Sequence, residues 1–122
     1  MNDILFLDFE TYFDTHYSLK KLTTAEYVNH KLFKVWGLGA RFLNENETTW
    51  LSHDEVKDYL LDITWEETSV VCHNALFDGY ILTQHYNVHP SYYYDTAAMA
   101  RGYDPMQSAS LAEVCKRLWP DN

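Results

Sequence analysis

The sequence predicts a mixed α/β domain, because short apolar strands alternate with amphipathic helices along the whole chain. The predicted order is strand, hairpin, helix, strand, helix, strand, helix, which favours a mixed central sheet with flanking helices. Acidic residues also stand where predicted strands end, and functional sites of such sheets gather there. No repeat, low-complexity tract or linker interrupts the 122 residues, so we expect a single domain over residues 1–122.

The first strand is predicted over residues 4–11 (ILFLDFET), which are apolar on both faces until two carboxylates appear. Side chains alternate along a strand, so Asp8 and Glu10 lie on one face. Two like charges at the end of a buried strand repel each other unless a cation lies between them. The alternative is a strand that enters a solvated acidic loop, and a D-x-E motif alone favours that alternative.

A polar and aromatic loop follows the first strand and carries the adjacent lysines Lys20 and Lys21. Two interpretations of this pair are open, contact with a phosphate or simple solvation, and solvation is the commoner state of loop lysines. A short helix is expected near residues 24–29, with Thr24 as its N-cap.

A hairpin and a helix are predicted for the middle of the chain. The hairpin strands are expected over residues 33–42 and 48–51, and Gly37 and Gly39 on one face indicate close approach of another group. Residues 52–55 (SHDE) have the spacing of a capping box. The helix that follows is expected to be structural, since its apolar residues fall on one face.

A second strand–helix unit is predicted in the latter half of the chain. Residues 69–73 form a short apolar strand, and a helix is expected to start close to Asn74, a suitable cap. Because residues four apart share a helix face, Asn74 and Asp78 are expected to lie together. The remaining predicted elements are a strand over residues 92–95, a helix over 97–101 and an amphipathic helix over 110–118.

Composition restricts the classes of function. The net charge of −9 excludes nucleic-acid binding through a generally basic surface, because phosphate neutralisation needs clustered Lys and Arg. The sequence has neither an apolar run that could span a membrane nor a signal peptide, so we expect a cytoplasmic protein without a membrane partner. Cys72 and Cys115 lack disulfide or zinc-site spacing and are expected to be small buried apolar residues.

A set of acids forms the candidate functional site. The acids at ends of predicted elements, which this topology can bring together, are Asp8, Glu10, Asp78 and Asp95. Hard oxygen ligands of this kind suit Mg²⁺ or Mn²⁺ rather than zinc. Two such ions about 4 Å apart can activate a water and stabilise the departing oxygen of a phosphodiester. Bound cations would also explain how so acidic a chain acts on a polyanion.

Three motifs, in this order, resemble those of DEDD 3′–5′ exonucleases. They are residues 8–11 (DFET), residues 73–78 (HNALFD), and the pair at 95–96 (DT) followed by residues 110–115 (SLAEVC). The closest resemblance is to proofreading exonuclease domains of family A DNA polymerases of phage type, which residues 18–27 (SLKKLTTAEY) also resemble. Each motif is weak singly, and together they cover essentially the whole chain.

The resemblance implies an RNase H-like fold and hydrolysis at the 3′ end of single-stranded DNA by two divalent metal ions, Mg²⁺ or Mn²⁺. It implies that Asp8 bridges both ions, that Glu10 binds the ion activating the water, and that Asp78 holds the second ion.

The resemblance also implies a set of residues around the substrate. Thr11, through its backbone, and Asn74 would position the terminal nucleotide. Phe77 is either an apolar wall for that nucleotide or ordinary core packing. Asp95 corresponds to a position near the sheet edge that is more often structural than metal-binding.

The family's third motif, Tyr-x3-Asp or His-x4-Asp downstream of the Asp-Thr pair, has no counterpart. Tyr-x3-Asp does not occur, and His-x4-Asp occurs only upstream, at His53/Asp58 and His73/Asp78. The sequence therefore resembles the first two-thirds of an exonuclease domain, with three of the four metal-binding acids, and an incomplete C-terminal end is expected.

Three functional hypotheses remain open. The first is a proofreading-type exonuclease in a phage-infected or bacterial cell, in which the rest of a DNA polymerase or a second copy supplies the missing acid. The second is a non-catalytic nucleic-acid-binding or assembly module of the same fold. Its uncovered apolar surface, with the tyrosines at 92–94 and Trp119 as candidates, would drive homo-oligomerisation or docking. The third is a related exonuclease acting on RNA, although residues 18–27 favour DNA.

Overall fold

The computed structural model describes residues 2–121, and these contain one five-stranded sheet. Its strands are β1 (Asp3–Thr11), β2 (Val35–Phe42), β3 (Thr49–Ser52), β4 (Thr68–Cys72) and β5 (Tyr92–Asp95). The order across the sheet is β3-β2-β1-β4-β5, which places β1 at the centre. Because β1 is antiparallel to β2 and parallel to β4, the predicted mixed sheet is confirmed.

Helices connect the strands at the positions that the sequence predicts. They are α1 (Thr24–Val28), α2 (His53–Leu61), α3 (Ala75–Tyr86), α4 (Thr96–Tyr103) and α5 (Leu111–Leu118). A 3-10 turn at Trp65–Glu67 was not predicted, because three residues carry no periodic signal. None of the helices within residues 2–121 has the length and apolar character needed to cross a membrane.

The helix starts follow their capping residues, with one shift. At α2, the Ser52 N–H donates to Glu55 Oε1 at 2.9 Å, as the predicted capping box requires. At α1, the Glu26 N–H donates to Thr23 Oγ1 at 3.2 Å, and the Thr23 N–H donates to Glu26 Oε1 at 2.9 Å. The prediction of Thr24 as N-cap is therefore wrong, because only Thr23 has a glutamate three residues later.

The core lies on one face of the sheet, between the strands and helices α2 and α3. From β1 it receives Leu5, Leu7 and Phe9, each at most 4% exposed. Leu60 of α2 and Ile81 of α3 belong to the same buried cluster. Since side chains alternate along a strand, the even-numbered residues of β1 lie on the opposite face.

That opposite face is uncovered over the centre of the sheet, where Phe6 is 40% exposed. In register with Phe6 are Val71 on β4 and Tyr94 on β5, and Tyr92 lies two residues earlier on the same side. We call the surface formed by Phe6, Val71, Tyr92 and Tyr94 the open face. The expectation that β1 is buried on both faces is wrong, because α2 and α3 cover only the core face.

The two cysteines differ in their surroundings. Cys72 at the end of β4 is buried, as predicted, whereas Cys115 on α5 is exposed. The expectation of a buried Cys115 is wrong, since none of the residues of α5 is buried despite the amphipathic sequence of the helix. Leu111, at the start of α5, approaches the open face beside Phe6.

Candidate functional site

The central strand places the first two acids beside glycines of the neighbouring strand. Asp8 pairs with Gly39 of β2 and Glu10 pairs with Gly37, so no side chain stands next to either carboxylate on that strand. The Trp50 side chain lies over Gly37, where a Cβ atom would be only 2.3 Å from the indole ring. The close approach predicted from the two glycines is therefore confirmed at Gly37.

The first turn of α3 carries the third acid beneath this strand. Asp78 is 1% exposed, and its Oδ1 accepts a hydrogen bond from the Phe9 N–H at 3.1 Å. Because Phe9 lies between Asp8 and Glu10, this bond holds the Asp78 carboxylate against the stretch of β1 that carries both acids. The pKa of Asp78 is raised to about 7, mainly by burial; the Phe9 hydrogen bond opposes this rise and the negative charge of Asp8 adds to it.

The carboxylate of Asp8 shares this electrostatic environment. Although Asp8 lies on the exposed face of β1, partial burial of its carboxylate raises its pKa, and the nearby His73 ring lowers it in part. The pKa of the Cys72 thiol is also raised, first by burial and then by the charges of Asp78 and Asp8. Asp8 and Asp78 thus lie close enough to each other and to Cys72 to interact through space.

No Lys or Arg side chain among residues 2–121 forms an ion pair with these two acids. Across residues 2–121 the ion pair found is Lys116–Glu113 on α5, far along the chain from β1. A buried carboxylate without a cationic partner normally takes up a proton or binds a metal ion. The raised pKa values of Asp8 and Asp78 follow from their burial, and a bound cation would lower them again.

The acids do not form a closed three-ligand cluster. Within the described residues, no three His, Cys, Asp or Glu side chains are grouped tightly enough to hold a metal ion. The donor pair in place is Asp8 with Asp78, while Glu10 stands two residues further along the same strand face. Two oxygen donors, one of them buried without a counter-ion, fit a hard divalent cation that completes its shell with water.

A groove beside Glu10 adds basic and aromatic groups to the site. Its volume is about 740 Å³. We call it the Lys20 groove and define it by the lining residues Glu10, Thr11, Phe13, Lys20, Lys21 and Phe77. Phe13 is 72% exposed, so an aromatic ring is free at the rim. The structure thus brings Lys20 and Lys21, Thr11 and Phe77 to one surface adjoining the acids.

Thr11 and Phe77 are also held by packing. Thr11 Oγ1 and the Tyr27 hydroxyl are hydrogen-bonded at 2.9 Å. The Phe77 ring packs against the Tyr27 ring, with centroids 5.9 Å apart. Phe77 therefore lines the groove and contacts the aromatic core at once, so neither of its two predicted roles is excluded.

The positions of Asn74 and Asp95 differ from expectation. Asn74 adopts a left-handed conformation (φ 77°) just before α3, and its side chain makes no capping hydrogen bond. The expectation that Asn74 and Asp78 share a helix face is wrong, because Asn74 lies outside the helix. The Asn74 and Ala75 N–H groups instead donate to Asp95, each at 3.0 Å.

Asp95 holds two helices together. Besides the two N–H groups at the start of α3, its Oδ1 accepts from the Ala97 and Ala98 N–H groups at the start of α4. Burial alone would raise the pKa of Asp95, but the backbone hydrogen bonds outweigh it and leave the pKa below its ordinary value. A carboxylate that accepts these four N–H groups caps the starts of both helices.

The motifs assign no role to His73 beyond its place at the start of residues 73–78. Its Nε2–H donates to the Ala109 carbonyl at 2.6 Å, and its Nδ1 is hydrogen-bonded to Thr96 Oγ1 at 2.9 Å. His73 therefore ties the end of β4 to α4 and to the segment before α5, directly beside Asp8. The available signal was its position at the end of the predicted strand 69–73, directly before Asn74.

Comparison with known proteins identifies solved structures with a similar fold. No family model and no curated protein matches the chain. The chain is similar to two solved structures of Brucella melitensis NrnC, one of them with bound Mg²⁺, at 13% sequence identity in each case. The TM-scores are 0.64 and 0.65, over 98% of this chain and 53% and 54% of those chains.

Similarity at this level of identity establishes the fold. The chain spans about half the length of the NrnC structures that it matches. The predicted RNase H-like exonuclease fold is confirmed, with a five-stranded mixed sheet flanked by helices.

Proposed function

We propose that this chain is a metal-dependent nuclease domain that hydrolyses phosphodiester bonds at the 3′ end of single-stranded DNA. The observation that carries the proposal is the pair Asp8 and Asp78, two carboxylates with raised pKa values that β1 and α3 bring together without a Lys or Arg ion-pair partner among residues 2–121. The resemblance of the motifs around these residues to DEDD exonucleases, and the shared fold with NrnC, support the same chemistry.

Divalent metal ions are the cofactor that fits the acids. Asp8 and Asp78 would hold one Mg²⁺ or Mn²⁺ ion, and Glu10 would contribute to a second, with Asp8 between them. Bound there, the ions would lower the pKa of a water and stabilise charge on the phosphodiester. The Mg²⁺ present in one NrnC structure supports this choice of metal.

The Lys20 groove is the proposed place for the terminal nucleotide. Phe77 and the exposed Phe13 offer rings for the base, while Lys20 and Lys21 lie within reach of its phosphates. Thr11 is fixed by its bond to Tyr27, so its backbone presents a rigid edge to the nucleotide. The exposed Asn74 amide, which does not cap α3, is available for a further hydrogen bond.

Proofreading is the biological role we propose, from the resemblance of residues 18–27 to phage-type polymerase domains. The partner would be the remaining part of a DNA polymerase, or a second copy of the chain, either of which could supply a fourth acid. RNA is the alternative substrate, because the acids and the groove recognise phosphate and base in either polymer.

A second candidate function is a non-catalytic module of the same fold. The open face favours it, since Phe6, Tyr92 and Tyr94 present aromatic surface that docking would bury. On this hypothesis the acids are a remnant and do not turn over substrate.

Cleavage of 5′-labelled single-stranded DNA separates the two functions. We expect stepwise shortening from the 3′ end that needs Mg²⁺ or Mn²⁺ and is lost in Asp8→Asn. Asp58→Asn, which changes an exposed acid of α2, is the matched control and should retain activity. Absence of metal-dependent products, or products unaffected by Asp8→Asn, would favour the non-catalytic module.

A further inference from the structure

A second groove lies on the other side of the segment that ends β1. Its volume is about 730 Å³. We call it the Trp36 groove and define it by the lining residues Tyr12, Lys31, Lys34, Trp36, His53 and His85. None of the residues assigned a role in hydrolysis lines it. Its chemistry therefore calls for an explanation apart from the acid site.

The charge of this groove is opposite to that of the chain. The protein has nine Lys and Arg residues against 18 Asp and Glu residues. Nevertheless, no Asp or Glu among residues 2–121 lines the Trp36 groove, whereas Lys31 and Lys34 both do. Together with Lys20 and Lys21, they place four of the nine basic residues in the two grooves that flank the end of β1. Clustered lysines of this kind are typical of a surface that binds a phosphate-bearing ligand.

An aromatic platform accompanies the lysines. The Trp36 side chain is 49% exposed, and Lys34 Nζ lies 4.4 Å from the centroid of its ring. The Tyr12 ring meets Trp36 edge-on, with centroids 6.3 Å apart. A half-exposed indole next to ammonium groups is suited to single-stranded nucleic acid, because bases stack on the ring while lysines contact the phosphates.

The floor of the groove is fixed before any ligand binds. His53 Nδ1–H donates to the Val35 carbonyl, and His85 Nε2–H donates to the Val28 carbonyl, both at 2.8 Å. The His85 ring also stacks on Phe33, with centroids 4.6 Å apart. A surface held in this way loses little conformational entropy on binding, which favours affinity.

The two grooves border the same backbone segment. The Tyr12 N–H donates to the Lys34 carbonyl at 2.9 Å, and Tyr12 lines the Trp36 groove. Its chain neighbours Thr11 and Phe13 line the Lys20 groove. A strand of nucleic acid that rounds the end of β1 would therefore contact both grooves.

We propose that the Trp36 groove binds the upstream part of a single-stranded nucleic acid whose 3′ end lies at Asp8 and Asp78. The assignment of the 3′ end rests on the proposed function, whereas the binding of the strand does not. The consequence is a preference for oligonucleotides over dinucleotides, since only the part of a strand upstream of the Lys20 groove would contact Trp36.

Equilibrium binding to oligonucleotides of two lengths tests the proposal. Asp8→Asn serves as the background, so that substrate survives, and 5′-labelled oligothymidylates of two and twelve nucleotides are titrated in Mg²⁺ by fluorescence anisotropy. Lys31→Ala/Lys34→Ala is compared with Lys57→Ala/Lys116→Ala, which removes the same charge outside both grooves.

We expect the groove variant to bind the twelve-nucleotide strand about tenfold more weakly and to bind the dinucleotide unchanged. Binding should also become less sensitive to salt. Loss of two phosphate contacts should make the slope of log K against log salt concentration less negative by about 1.4. The control pair should leave both affinities within about twofold. Equal weakening for both lengths, equal effects of the two lysine pairs, or no binding of the longer strand by the background would overturn the proposal.

Two further arms identify the contact and the polymer. Trp36→Phe keeps an aromatic ring for packing on Tyr12, so a folded variant is expected. Quenching of tryptophan fluorescence by the twelve-nucleotide strand should occur in the background protein and disappear in Trp36→Phe; persistence of the quench would contradict a contact at Trp36.

An oligouridylate of equal length distinguishes RNA from DNA as the bound polymer. Failure of wild-type protein to cleave DNA would refute the nuclease but not this binding.

Discussion

The buried carboxylate of Asp78 accepts a hydrogen bond from the backbone N–H of Phe9 at 3.1 Å. This contact joins the first turn of α3 to the central strand at the residue between Asp8 and Glu10. It explains how an acid about seventy residues further along the chain lies against the strand that carries Asp8, whereas burial accounts for the strongly raised pKa of Asp78.

The pH dependence of stability should report the burial of Asp78. Its pKa in the folded protein is about 7, above the ordinary value of 3.8, so the folded state holds this proton more tightly than the unfolded state. The contribution of Asp78 to stability is therefore fully present below about pH 4 and is lost as the pH rises through 7. Without metal, this loss should amount to roughly 2–4 kcal/mol.

Urea unfolding in chelator at pH 4.5 and pH 8 measures this effect. We expect Asp78→Asn to reduce the difference between the two pH values, because asparagine does not ionise. Asp58→Asn is the exposed control and should leave the difference unchanged. If the free energy of unfolding depends on pH in the same way in wild type and Asp78→Asn, then ionisation of Asp78 does not destabilise the folded protein, and the prediction is wrong.

Replacing Asp95 should destabilise two helices at once. Asp95→Ala removes the acceptor for four backbone N–H groups at the starts of α3 and α4, so we expect a loss of roughly 2–4 kcal/mol in unfolding free energy. Asp104→Ala removes the acceptor for the Met106 N–H alone and should cost less than about 1 kcal/mol. Similar losses for both variants, measured by urea unfolding, would argue against the double-cap role.

Two glycines on the same protein should respond in opposite ways to alanine. Gly37→Ala places a Cβ 2.3 Å from the Trp50 ring and 2.6 Å from the Leu51 carbonyl, so we expect a loss of about 1–3 kcal/mol. Gly102→Ala meets nothing within 4 Å and lies in α4, so stability should be unchanged or rise by up to about 1 kcal/mol. Thermal unfolding of both variants measures the contrast, and an unaffected Gly37→Ala would show that Trp50 moves away freely.

Substitutions in the Lys20 groove should weaken substrate binding and leave the rate of the chemical step nearly unchanged. Lys20→Ala/Lys21→Ala removes two charges near the terminal phosphates but no acid, so KM for single-stranded DNA should rise several-fold with kcat nearly unchanged. Steady-state kinetics with Lys57→Ala/Lys116→Ala as the control measures this. A fall in kcat without a change in KM would place these lysines at the reacting phosphate instead.

The sequence predicted the central features well because they rest on local patterns. Alternating side chains put Asp8 and Glu10 on one face of β1, and the spacing of Ser52 and Glu55 located the start of α2. The mixed sheet followed from the order of its elements. These signals need only neighbouring residues, so tertiary contacts did not overrule them.

The features that sequence reasoning missed depend on residues distant in the chain. Asn74 was expected to cap α3, but a carboxylate 21 residues later does so, and nothing local to Asn74 indicates this. Cys115 was expected to be buried because its spacing fits neither a disulfide nor a zinc site, yet none of the residues of α5 is buried. The exposure of Phe6 likewise depends on which face of the sheet the helices occupy.

Metal binding tests the central claim most directly. Wild-type protein at pH 8 is titrated with Mg²⁺ and Mn²⁺ by calorimetry, and its thermal midpoint is followed in parallel, because a cation at Asp8 and Asp78 relieves the unpaired charge. We predict measurable binding with a rise in Tm, both lost in Asp8→Asn and Asp78→Asn and retained in Asp58→Asn. Binding that persists in Asp8→Asn and Asp78→Asn, or no binding by the wild type, would contradict the account.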